Sequence, residues 1–253
     1  MIRQNPLSVI IRVVVALGYL ALGPVVLAES FDKPLQETVV DLGPSPYLMP
    51  RTGSRIQLFC SYYPAFMIKQ LDDPGQKGTR WVTIVPILNG HVPTCRPSHG
   101  PTERFIAKEW WTFIGAKGPL LFLEAADGSS GGMPFRVLDL KTRKKIFEDS
   151  KWWNGHFEFV QTPDGKMSLR YLRVVEGDCS IPKGGESCWN KFRERFGLPL
   201  AAAPKCTGSE EEGTIPASEE QMESAIAYPV AVNLSPRPSI RAVPGPVKCR
   251  PRN

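Results

Sequence analysis

Phe135-Arg136-Val137-Leu138-Asp139-Leu140-Lys141-Thr142-Arg143-Lys144-Lys145-Ile146-Phe147 is the stretch whose reading decides how this chain folds. Two short apolar runs, 135–140 and 145–147, face each other across Lys-Thr-Arg-Lys, which marks a β-hairpin. A second hairpin follows at once. Residues 157–161 and 168–175 are joined by Thr162-Pro163-Asp164-Gly165-Lys166, where Asp-Gly supplies the positive φ of a tight reversal. Two successive hairpins make an antiparallel meander.

Outward from this centre, 110–114 and 120–125 read as further strands, and 56–63 and 81–88 as strands separated by the turn signal Asp72-Asp73-Pro74-Gly75. Prolines and glycines break the stretch 91–101, which carries Cys95 and needs a staple. Helical spacing shows at 188–196: Trp189, Phe192 and Phe196 share one side, charges occupy 191 and 193–195, and Gly197 is a stop. The expected fold is mainly β, an antiparallel sandwich or short blade-like β stack of roughly eight to ten strands with one packed helix near 188–196.

The N-terminal end reads as a secretion signal. Arg3 and Arg12 flank the start of an apolar run, 13–28, that closes on Val26-Leu27-Ala28. The run holds Gly18, Gly23 and Pro24 and falls short of the roughly 20 residues that span a bilayer. Cleavage after Ala28 is therefore expected, giving a periplasmic or secreted protein with no stable membrane insertion. No cysteine near that point can accept a lipid. Four segments follow: a signal peptide at 1–28, an irregular segment at 29–54 able to form an edge, a β-rich domain at 55–199, and a flexible Pro-rich C-terminal extension at 200–253. Within the extension acids crowd 210–223 and the last bases are Arg237, Arg241, Lys248, Arg250 and Arg252.

Six cysteines in an exported chain read as three disulfides. Sequence alone leaves 15 pairings. Proximity ranks Cys179–Cys188 first, across a short loop that costs little entropy to close. Cys206 and Cys249 share the Pro-rich end, which leaves Cys60 with Cys95.

The phrases Val137-Leu-Asp-Leu-Lys-Thr-Arg-Lys-Lys-Ile-Phe147 and Phe159-Val-Gln-Thr-Pro-Asp-Gly-Lys-Met-Ser-Leu169 resemble the strand-turn-strand units of β-propeller blades. At the roughly 40 to 45 residues each blade takes, 55–199 would hold three or four, so a closed propeller is strained by length. The body, with Tyr171-Leu-Arg-Val-Val, Cys179-Ser-Ile and Cys188-Trp-Asn-Lys, also resembles exported bacterial proteins of unknown function. That likeness implies no activity.

Composition narrows the function classes. The formal net charge of +6 falls to +4 without 1–28, and basic residues are scattered except at 141–145, so no nucleic-acid partner is expected. Gly128-Ser129-Ser130-Gly131-Gly132 matches G-x-S-x-G, but Pro134 and a strand-like run stand where the helix of a nucleophile elbow must begin. His91, Cys95 and His99 are spaced by four, yet Pro93 and Pro97 forbid the helix that would align them as metal ligands. Asp127, Asp139, Asp164 and Asp178 read as turn-makers. No metal and no cofactor is implied.

The adjacent pairs Trp110-Trp111 and Trp152-Trp153 remain: on strands, one ring of each pair must face away from the other. With Lys144 and Lys145 of the basic hairpin they are the expected binding residues of a non-enzymatic protein that holds a protein or glycan partner. The rival expectation is a cell-wall or carbohydrate hydrolase, which needs Glu109, Glu124 or Glu158 beside a second acid in a pocket.

Overall fold

The computed structural model describes residues 30–47, 54–161, 167–198, 202–208, 217–234 and 237–252. The segment expected as a signal peptide, 1–28, and the turn 162–166 lie outside the described residues. The protein is mainly β, built of two antiparallel sheets and a helix.

The smaller sheet is a five-strand meander in chain order: β1 (Gln36–Pro44), β2 (Arg55–Tyr62), β3 (Phe66–Asp72), β4 (Thr79–Pro86) and β5 (Arg104–Lys108). The segment expected as an irregular edge is β1, the outermost strand. β3 and β5 were not legible: β3 begins directly after the Pro64 turn, and β5 sits among charges. The larger sheet contains β6 (Trp111–Lys117), β7 (Leu120–Ala125), β8 (Gly132–Asp139), β9 (Lys145–Trp152), β10 (Glu158–Gln161), β11 (Met167–Glu176), β12 (Ser224–Asn233), β13 (Ser239–Ala242) and β14 (Lys248–Pro251). Its path runs β13-β12-β11-β9-β8-β7-β6, with β10 on β11 and β14 on β12. The two expected hairpins are β8–β9 and β10–β11, lying side by side in one sheet.

Alternation along β7 explains the layering. Leu121 and Leu123 join Ile68, Val82 and Ile84 of the smaller sheet in the core between the sheets, while Leu120 and Phe122 face the opposite way. There they meet Phe135, Val137, Tyr171, Ile226 and Val230, under the helix residues Trp189 and Phe192.

The expected helix starts earlier than its spacing indicated. α1 runs Ile181–Phe196: Ser180 caps it by accepting the Lys183 N–H, Pro182 occupies the first turn, and Gly185 breaks it at φ 51°. Gly197 closes it in the left-handed conformation, as its position implied. Gly184-Gly185 had made 180–187 read as loop. Phe192 lies where a Cβ on Gly177 would stand 2.2 Å from its ring, so that glycine is required for the helix to dock.

The expected flexible extension departs most from the structure. Residues 224–251 form β12, β13 and β14, and Ile226, Val230 and Val232 are fully buried. A proline inside a strand paired on both sides is unusual, since it has no N–H for the ladder. The Pro229 carbonyl accepts the Val243 N–H, so that residue's own nitrogen faces the same outer edge. On that edge β14 covers 224–227 and β13 covers 230–233, and the proline falls in the gap between them.

All three disulfides are present, Cys60–Cys95, Cys179–Cys188 and Cys206–Cys249. Among the described residues no helix is long and apolar enough to cross a membrane.

Candidate functional site

The chain leaves β5 and enters β6 through two residues, Glu109 and Trp110, both at positive φ (42° and 67°). The Glu109 N–H donates to the Arg80 carbonyl, and the Trp111 N–H returns to the Glu109 carbonyl at 2.8 Å. This corner carries the backbone from one sheet to the other. Gly78 makes room for it, since a Cβ there would sit 2.9 Å from the Trp110 Cα.

The corner splits the first tryptophan pair. Trp110 is 50 % exposed, with the Lys77 ammonium 5.4 Å from its ring centre, whereas Trp111 is half-buried beneath the Arg136 guanidinium at 3.9 Å. The second pair splits likewise: Trp152 is buried at 5 % under Lys248 and Arg250 of β14, and Trp153 is 46 % exposed.

One loop links the two exposed rings. Residues 126–131 join β7 to β8; the Ala126 N–H donates to the Trp110 carbonyl at 2.6 Å and the Trp153 N–H to the Gly131 carbonyl at 3.0 Å. Asp127 on this loop pairs with Lys77, and hydrogen bonds from Lys77 and from the Gly128 amide hold its carboxyl below the usual range. The site is thus two exposed tryptophans whose backbones are tied to the two ends of one glycine-rich loop, with Lys77 and its partner Asp127 beside Trp110. Lys77 escaped the sequence reading, and Asp127 was read there as a turn-maker and not as part of a site. Had 104–108 been read as a strand, the two-residue gap before Trp111 would have marked the corner.

The basic hairpin distributes its charges differently from expectation. Lys145 is committed to Glu148, which also takes Arg136, and those bonds lower the Glu148 pKa. Lys144 is exposed, away from the tryptophans' end of the sheet. Lys141 and Arg143 line a cleft instead.

The remaining motifs resolve into structure. Ser130 is 1 % exposed and is followed by strand β8, so it is not held out as a nucleophile. Cys95 is bonded to Cys60, and His99 Nδ1 lies 2.8 Å from Glu103. Glu103 is the anchor of the loop between β4 and β5: it takes the buried Lys69 ammonium at 3.0 Å, the Thr83 hydroxyl and the Gly100 N–H. Burial opposes its ionisation, but the hydrogen bonds from Thr83, His99, Lys69 and Gly100 outweigh it and lower its pKa. Glu124 pairs with Lys151 at 2.8 Å, and Asp149 with Arg173 at 2.8 Å while accepting the Tyr171 hydroxyl. Asp139 accepts the Thr142 N–H and hydroxyl and shapes its hairpin turn. Asp164 lies outside the described residues.

Fold and site together define a disulfide-braced antiparallel β-sandwich with an aromatic corner. No family model matches the chain, and no curated protein or solved structure shows significant similarity to it.

Proposed function

We propose that this chain is an exported, non-enzymatic binding protein whose contact surface is the aromatic corner, and that the surface holds a glycan. The observation that carries the reading is the tying of both exposed indoles, Trp110 and Trp153, to the two ends of the loop 126–131. Exposed rings on a braced backbone offer flat apolar faces at low entropic cost, and sugars present matching C–H faces while their hydroxyls need polar groups such as Lys77 and Asp127. Export is supported by the apolar run before Ala28 and by the three disulfides, which persist in oxidising compartments. Binding is preferred over hydrolysis because Glu124 and Asp149 of the larger sheet each hold a cation.

The test is sedimentation of the purified, disulfide-intact protein with insoluble cell-wall polysaccharides, beside Trp110→Ala and Trp153→Ala. Each variant is expected to weaken binding about tenfold, on the order of 1.4 kcal/mol, with an unchanged thermal midpoint. Retention of both variants at wild-type affinity overturns the site. Release of reducing ends from the polysaccharide overturns the non-enzymatic reading.

A further inference from the structure

A second cleft, of about 520 Å³, opens where the β8–β9 hairpin meets the edge of the smaller sheet. Its floor is the open end of the core between the sheets, Phe66, Ile84 and Leu140, and its rim carries Arg104, Lys141 and Arg143. The volume falls within the range of small-molecule sites. We propose that this cleft binds an amphipathic anion, an acyl chain or similarly compact apolar body bearing one carboxylate.

Charge and shape agree on that occupant. Three cations from two separate segments surround an apolar floor, and among the described residues none of the three has a carboxylate salt-bridge partner. Arg104 Nη1 donates to the carbonyls of Pro101 and Glu103 at 2.8 and 2.9 Å, which fixes its guanidinium without neutralising it. Asp139 accepts the Thr142 N–H and hydroxyl and feels the Lys141 charge, but makes no ion pair with it. An apolar floor accepts the chain, and the rim accepts its head.

The backbone supplies an independent observation. Arg143 stands at φ 58° in the hairpin turn, a left-handed position that glycine or asparagine fills at least cost. The turn keeps an arginine there at the expense of strain, and its side chain lines the cleft. Strain retained at a position with a simple remedy points to use of the side chain.

The experiment uses the intact protein with 1-anilinonaphthalene-8-sulfonate as fluorescent probe and decanoate, decanol and acetate as competitors. Decanoate below its micelle concentration is expected to displace the probe, whereas decanol and acetate displace it at least tenfold less well. Arg143→Gly is expected to weaken decanoate at least fivefold while raising the thermal midpoint by about 2 to 4 °C, because the strain is relieved. Lys141→Ala is expected to weaken it without raising the midpoint. Decanoate affinity within twofold of wild type in both variants overturns the proposal, as does equal displacement by decanol. Binding to anionic vesicles without binding to monomeric decanoate also overturns it and assigns the rim to a membrane surface. Trp110→Ala should leave decanoate binding unaltered, so failure here is separable from failure at the aromatic corner.

Discussion

Glu109 and Trp110 stand side by side in the left-handed region, which costs roughly 1 to 2 kcal/mol for a residue bearing a Cβ. Replacing Glu109 by glycine should therefore raise stability by about 1 kcal/mol, read as a higher urea midpoint with an unchanged slope. A fall in the midpoint would show that the Glu109 side chain contributes more than its backbone costs. The buried Lys69–Glu103 pair behaves oppositely, because removing one partner leaves a charge in the interior. Lys69→Met is expected to destabilise by about 3 to 5 kcal/mol. Combining Lys69→Met with Glu103→Leu should cost clearly less in chemical denaturation, since neither charge is then left behind. Since Glu103 ionises more readily in the folded protein, its contribution is complete above its ordinary value of 4.5 and is lost as the pH falls through its lowered one. Hydrogen exchange in residues 96–103 should accordingly rise in that acid window; protection that holds through it would exclude Glu103 as the anchor. Of these residues the sequence revealed types and not roles. Strand alternation states that one ring of each tryptophan pair turns outward, but which one depends on the corner at 109–110 and on β14 arriving over Trp152, both tertiary facts.

α1 shows how covalent and packing forces divide one helix. Its first turn, 181–184, precedes the break at Gly185, and Cys188, just beyond it, is held to Cys179 in the short connection that follows β11. The segment after the break docks Trp189 and Phe192 into the core. For a loop this short the bridge contributes about 2 to 3 kcal/mol. With both cysteines changed to serine, exchange should accelerate first in 180–184, later in 186–197 and last in β8, β9 and β11. Equal protection of 180–184 with and without the bridge would show that the Ser180 cap and packing suffice. The helix was legible from Trp189 onward because the apolar spacing starts there. Its beginning was hidden, since a serine cap, a proline and two glycines also spell a loop, and only the neighbouring strands decide between them.

The two sheets share one chain so unevenly that the C-terminal fifth cannot be detached. Ending the chain at 199 removes β12, β13 and β14, exposing the β11 edge and the apolar face beneath α1. Such a truncation is expected to be insoluble or protease-sensitive at any temperature, and a cooperative melting transition from it would refute the shared core. Sequence reading placed the mainly β class and both central hairpins, because period-two alternation and turn chemistry are local. It lost β12 because Pro229 and the surrounding prolines are judged by composition, whereas their tolerance depends on a gap in a ladder formed by residues far along the chain. That same arrangement sets an order in time. The smaller sheet joins neighbours in sequence and can assemble as soon as residue 108 is free, while β11 waits for β12, some fifty residues later, before its edge and core close. If the chain is exported N-terminus first, as proposed above, it carries a finished small sheet beside an unfinished large one until nearly its last residue has crossed, and the Cys60–Cys95 bond should be complete in emerging chains in which Cys206 is still a thiol.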